Sequence, residues 1–170
     1  MKKMKTFFAV ALLFVGAVSF AQSETIVGVA AGNDNFSTLV TAVKTAGLVE
    51  TLSSEGPFTV FAPTNDAFAK LPDGTVSSLL MPASKTDLTG ILTYHVVAGK
   101  FEAAAVIDAI KANNGAFKVK TVQGNEIVLT LKEDKVVLTD AKGGTSTVVI
   151  EDVAASNGVI HAIDTVVMPQ

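Results

Sequence analysis

Two side chains in this sequence can exchange a proton near neutral pH, His95 and His161, and they are the only histidines among 170 residues. A histidine beside a carboxylate is a common acid–base unit, so Asp66 and Asp164 are the first partners to weigh. Spacing argues against the closer pair: positions 161 and 164 differ by an odd number, and on a strand such residues point to opposite faces. Zinc sites draw three or four ligands from Cys, His and carboxylates, and a chain with two histidines and no cysteine holds a thin inventory for one. Nucleophilic chemistry lacks its usual carriers as well, since there is no Gly-x-Ser-x-Gly elbow, no Gly-rich phosphate loop ending in Lys-Ser or Lys-Thr, and no thiol. Catalytic, metal and cofactor sites are therefore not expected. Both histidines are expected as hydrogen-bonded interior groups.

The elements that must position them start from residues 56–71. Pro57 suits a strand entrance, and residues 58–62 are rich in β-formers, with Phe58, Val60 and Ala62 on one face and Thr59 and Phe61 on the other. Large apolar groups on both faces predict a strand covered on both sides. Pro63 ends it. The oxygens of Thr64, Asn65 and Asp66 can then accept from the free N–H groups of a short helix carrying Ala67, Phe68 and Leu71. Phe58, Phe61 and Phe68 are expected in the core.

Upstream, residues 25–31 repeat apolar positions at helical spacing. A second helix places Phe36, Leu39, Val40 and Val43 on one side, capped by Asp34 or Asn35 and stopped by Gly47. Asn35-Phe36-Ser37 also fits a glycosylation acceptor, but in a bacterial-looking export context it is taken only as a cap. Downstream, residues 75–80 form a short helix, and Thr86 or Asp87 caps another that delivers Tyr94 and His95 to a strand with Val96 and Val97. Phe101 starts a further edge, and residues 103–111 form an Ala-rich helix. The period then changes to two: strands are predicted around Phe117–Thr121 positions, residues 127–131, 135–139, 148–150, 159–163 and 166–168. Gly143-Gly144-Thr145-Ser146 is expected as a loop. Helices first and strands after them indicate α+β rather than repeated βαβ units.

Three boxes in this order carry a resemblance. Thr59-Val-Phe-Ala-Pro-Thr-Asn-Asp-Ala-Phe, Ile91-Leu-Thr-Tyr-His-Val-Val and Asn157-Gly-Val-Ile-His-Ala-Ile-Asp-Thr-Val-Val-Met-Pro resemble the signature segments of the fasciclin domain family, extracellular modules of about this size. The resemblance implies a wedge-shaped β-sandwich of about seven strands with several short α-helices. In animal members a Tyr-His flanked by branched aliphatics is implicated in integrin binding, which marks Leu92, Tyr94 and His95 as candidate contacts. An Asp-Ile motif before the closing Asn-Gly is a second, and Asp152-Val153 stands there with Val in place of Ile. Packing and turn roles are the alternative for both. Tyr94 and His95, adjacent on the predicted strand, must face opposite sides. His95 is expected inward, meeting Thr64, Asn65 and Asp66 in a structural polar network that includes His161, with its pKa lowered by burial. Tyr94 is expected nearer the surface.

Lys2, Lys3 and Lys5 precede a twelve-residue apolar run at positions 7–18 and then Ser19-Phe20-Ala21. A spanning helix needs roughly 20 residues, so this is expected to be a signal peptide, residues 1–21, cleaved after Ala21, with no transmembrane anchor in the mature chain. Residues 22–170 then form a single fasciclin-like domain, in which ten lysines face sixteen carboxylates. The basic residues are all lysine, which removes the planar fork that reads phosphates and bases, so nucleic acid is excluded as a partner. There is no Trp and one Tyr, which disfavours sugar binding by aromatic stacking. The expected protein is a secreted, periplasmic or cell-surface monomer that binds an extracellular protein or matrix polymer in adhesion or biofilm contexts, and is not an enzyme. A carrier of small apolar ligands or lipids is the alternative, and a hydrolase ranks below it.

Overall fold

The computed structural model describes residues 24–170, so the signal peptide expectation lies outside the described residues. Strand β1 (Phe58–Pro63) is the central element. It pairs antiparallel with β2 (Val96–Ala98) on one side and parallel with β7 (Gly158–Ile163) on the other. Its alternation divides the interior as the sequence indicates. Val60 and Ala62 join a core with the helices, whereas Phe61 joins a second core inside the sheet.

The remaining strands are β3 (Ala116–Lys120), β4 (Glu126–Lys132), β5 (Lys135–Thr139) and β6 (Thr145–Ala155), giving one sheet in the order β2-β1-β7-β6-β5-β4-β3. β6 belongs to both limbs: its start pairs with β5 and its remainder with β7. The outer strands nearly meet, because Val97 bridges Thr121 and the Val122 N–H donates to the Val96 carbonyl at 2.8 Å. This bent, nearly closed sheet of seven strands with short helices is the α+β architecture that the resemblance implies.

Five helices build the first core: α1 (Ile26–Ala31), α2 (Ser37–Ala46), α3 (Val49–Ser53), α4 (Asn65–Ala69) and, after α5 (Thr75–Leu79), α6 (Lys85–Tyr94). They bury Ile26, Leu39, Leu52, Phe68 and Leu92 against β1 and β7, together with Phe36 just before α2. The last helix, α7 (Ala103–Ala112), instead places Val106 and Ile110 over the inner faces of β4 and β5, beside Ile127, Leu129 and Leu138. Each such large side chain removed from water contributes about 1.5–3 kcal/mol.

Several boundaries differ from the sequence reading. Neither Asp34 nor Asn35 caps α2: Asn33 caps a 3₁₀ turn (Asp34–Phe36) by accepting from the Asn35 N–H, and α2 follows that turn with Phe36 at its N-cap position and no side-chain cap of its own. Helix α6 begins at Lys85 directly from a second 3₁₀ turn, ahead of Thr86 and Asp87, and has no side-chain cap. Thr145 and Ser146 already lie in β6, and Phe101 lies in no strand. Residues 166–168 do not form a strand either. The Val167 and Met168 N–H groups donate to the His95 ring and the Asp140 carboxylate, so side chains replace a neighbouring strand.

Candidate functional site

The segment joining α6 to β2 holds the residues with the greatest chemical potential. Tyr94 is the last residue of α6 and His95 its C-cap, with helical φ −83° and ψ −5°. On a helix, successive side chains diverge by about 100° rather than the 180° of a strand. Both therefore turn into the interior: Tyr94 is 0% exposed and His95 1%. This corrects the expectation that Tyr94 lies nearer the surface, which assumed that the strand had already begun.

Tyr94 enters the core inside the sheet. Its hydroxyl donates to the Glu126 carbonyl at 3.2 Å and accepts from the Ala141 N–H at 3.1 Å, tying α6 to the start of β4 and to the loop between β5 and β6. Burial raises its pKa, and the Asp140 charge adds to that rise while the Ala141 N–H opposes it. His95 Nδ1 lies 2.7 Å from the Ile91 carbonyl, and Nε2 accepts from the Val167 N–H at 3.2 Å. A carbonyl can only accept, so the proton sits on Nδ1 and the ring is neutral. Burial lowers its pKa to about 4, against smaller upward pulls from the Ile91 carbonyl and Asp140. Leu92, 3% exposed, packs among the helices. None of Leu92, Tyr94 and His95 presents surface to a partner.

His161, on β7, has the opposite tautomer. Nε2 lies 2.7 Å from the Phe101 carbonyl and must donate, while Nδ1 accepts from the Asp152 N–H at 3.3 Å. Its ring stacks on Phe61 with centroids 5.8 Å apart. Asp152 sits where the β6–β7 register shifts, with a left-handed φ of 54°. Its Oδ1 accepts from the Ala103 N–H at 2.8 Å, supplying α7 with the cap that its own N-cap residue, Glu102, does not provide. Val153 is half-buried against the helical core and opposite Ile160.

The first box disperses. Thr64 caps α4 by accepting from the Ala67 N–H. Asn65 reaches the other way, accepting from the Thr38 N–H at 3.0 Å and donating to the Asp34 carbonyl at 2.8 Å, so it holds α2 against α4. Asp66 lies exposed in the first turn. His95 meets Ile91 and Val167 instead of these three residues, and His161 meets Phe101 and Asp152. The expected five-residue network is thus three separate arrangements.

Sequence reasoning missed two of the hubs. Thr59, 0% exposed on an otherwise apolar strand, donates to the Gly99 carbonyl at 2.7 Å and accepts from the Phe101 N–H at 2.9 Å. With His161 it pins residues 99–101, and its hydroxyl between Phe58 and Val60 on an apolar strand was the available signal. Asn157, which the sequence marks only as the first residue of the closing box, accepts from the Ile26 N–H and donates to the Leu52 and Ser54 carbonyls, closing the helices onto the sheet. Asp164 accepts from the Thr147 N–H, Ser146 and Thr165, with Lys70 at 3.8 Å. Burial pushes its pKa up, but these partners outweigh burial and hold it below the usual value.

Chemically, both imidazoles have both nitrogens committed to backbone groups, which leaves neither free to take a substrate proton. Among the described residues no three His, Cys, Asp or Glu side chains are grouped to hold a metal ion. The apolar void between α1, α2 and β1 measures about 20 Å³, far below the roughly 300 Å³ at which ligand pockets begin. A surface recess of about 500 Å³ beside Glu55, Lys100 and Asn157 is open and shallow.

The fasciclin domain family model matches residues 34–169. Protein sll1483 of Synechocystis sp. is 56% identical over 145 residues, 85% of this chain and 73% of that protein. Transforming growth factor-beta-induced protein ig-h3 of Sus scrofa is 38% identical over 148 residues, which cover 85% of this chain but 19% of that much longer protein. The solved structure titled "Novel Fold Revealed by the Structure of a FAS1 Domain Pair from the Insect Cell Adhesion Molecule Fasciclin I" superposes with a TM-score of 0.75 at 18% identity, covering 85% of this chain and 51% of that one. At that identity the likeness concerns the fold.

Proposed function

Because this chain belongs to the fasciclin domain family, we propose that it is an exported, monomeric binding module that mediates adhesion to cells, matrix or biofilm components and performs no catalysis. The observation that carries the reading is the state of the two histidines: each is buried and held in one tautomer by backbone partners at both nitrogens. What the signature boxes supply is a rigid frame, and recognition belongs to the exposed surface around it. The fold's occurrence in an insect cell adhesion molecule supports the same direction. Export rests on residues 1–21 acting as a signal peptide, followed by one fasciclin module over residues 22–170. No helix among the described residues is long and apolar enough to cross a membrane.

Of the candidate contacts, only the exposed Asp152 and half-buried Val153 remain available at the surface. The test is saturable binding of the mature protein to cells or to isolated matrix. Saturable, protein-dependent retention is the expected result. Failure to bind, together with co-purification of a defined small apolar molecule, would replace adhesion with the carrier reading.

A further inference from the structure

The outward face of β3–β6 differs in charge from the rest of the molecule. It presents four lysines, Lys118, Lys120, Lys132 and Lys135, against three carboxylates, Glu126, Glu133 and Asp134, whereas the described chain as a whole carries ten lysines and sixteen carboxylates. Strand alternation determines where those lysines lie. Val119, Ile127, Leu129, Val136 and Leu138 point into the core beneath α7. Lys118 and Lys120 on β3, Lys132 on β4 and Lys135 on β5 therefore point away from it, and all four are exposed.

Between them lies a floor of small, partly covered groups. Thr130 stands opposite Val137, and Val137 opposite Thr147, while Val128 stands opposite Thr139. Val149 prolongs the floor along β6 and is 49% exposed. Among the described residues no helix crosses this face, since α7 packs on the other one. Four strands about 4.8 Å apart and five residues long give a platform of roughly 15 by 17 Å. The acids that face it are Glu126, 3.9 Å from Lys118, and the hairpin pair Glu133 and Asp134 at one rim. The Lys118 and Lys120 end thus carries the clearest excess of positive charge.

We propose that this face docks an extended acidic polysaccharide of the matrix, a deepening that rests on the adhesion reading above. Lysine ammonium groups pair with carboxylates spaced along a flexible chain as point charges and need no bidentate geometry. Threonine hydroxyls both donate and accept, which suits sugar hydroxyls. A neutral glycan would call for aromatic stacking surfaces, and the face has none. Duplex DNA favours guanidinium forks, and the chain has no arginine.

The experiment measures binding of the exported full-length protein to polygalacturonate, with neutral dextran and duplex DNA as comparison polymers, across a salt series. Expected are saturable binding to polygalacturonate that weakens steeply with salt, no binding to dextran, and weaker binding to DNA. Lys118→Glu with Lys120→Glu should weaken polygalacturonate binding by about tenfold or more, Lys118→Arg with Lys120→Arg should retain it, and Lys44→Glu with Lys85→Glu on the helical side should leave it unchanged. Thermal unfolding of each variant verifies its fold. If the sheet-face reversal folds poorly, Lys132→Ala with Lys135→Ala serves as the second probe. Equal loss from both charge reversals, or none from the sheet-face pair, overturns the proposal. DNA binding as tight as polygalacturonate with the same lysine dependence overturns the polysaccharide assignment. Association between copies that depends on Lys118 and Lys120, without polymer binding, also overturns it in favour of a second copy as occupant. Matrix retention of wild type and Lys118→Glu/Lys120→Glu separates the two readings: equal retention defeats this inference and leaves adhesion standing, whereas no retention of either defeats both.

Discussion

His95 is held as a neutral imidazole, and this ties stability to pH. Its pKa falls from 6.5 in an unfolded chain to about 4 in the fold. Between those values the unfolded state binds the extra proton, so the contribution is complete above pH 6.5 and is lost as pH falls toward 4, amounting to roughly 3 kcal/mol. Asp164 adds to the acid side, since a carboxylate with a lowered pKa loses its contribution as pH falls below its unfolded value. Urea unfolding at a series of pH values should show a constant midpoint above pH 6.5 and a declining one below, and the His95 ring signal in NMR should stay neutral through pH 5.5. A ring titrating near 6.5 would refute the buried, doubly bonded state. That His95 turns inward was legible, although the sequence reading expected Thr64, Asn65 and Asp66 to meet it there. Its partners were not, because the Val167 N–H that completes the ring's bonding lies 72 residues away in sequence.

At the scale of elements, two of the three cap candidates before α4 separate by geometry. Thr64→Ala removes an observed cap and should cost about 0.5–2 kcal/mol, whereas Asp66→Ala, which loses only a favourable charge in the first turn of α4, should cost about 0.3–1 kcal/mol, both measured by chemical denaturation. Asp152 is the sharper case. It caps α7 from another strand and occupies a left-handed backbone position, so Asp152→Ala should destabilise by about 1–3 kcal/mol. Asp152→Asn keeps the capping oxygen and tolerates that φ, and should stay within about 0.5 kcal/mol of wild type. An Asn variant of native stability that no longer binds cells or matrix would show that the carboxylate also makes contact. Helices α2 and α7 and the meander β3–β5 were readable because each repeats its apolar residues at its own period over several turns or alternations, whereas the short α1 and α4 were readable from apolar spacing and cap chemistry. The starts of α6 and α2 were not, since each follows a 3₁₀ turn whose sequence supports more than one boundary.

Across the whole molecule, export should appear as the loss of residues 1–21, with the mature chain beginning at Gln22. Intact mass of the protein from its native host measures this, and a chain retaining Met1 would remove the extracellular assignment on which the adhesion reading depends. A second expectation concerns the parallel pairing of β1 with β7. Gly158 lies against the Phe58 carbonyl where β7 runs parallel to β1, with no room for a Cβ, so Gly158→Ala should fail to give a stable fold, as judged by soluble yield and circular dichroism. The sequence by itself determined the α+β class, the strand covered on both faces, and the three boxes that carry the family, because local period and turn chemistry act within a few residues. Tertiary structure alone decided that Tyr94 turns inward, that Asp152 caps a helix 49 residues away in sequence, and that the tail residues Val167 and Met168 bond side chains in place of a strand. These depend on which distant backbone groups arrive beside each side chain, and that is set only when the sheet closes and water leaves the interior.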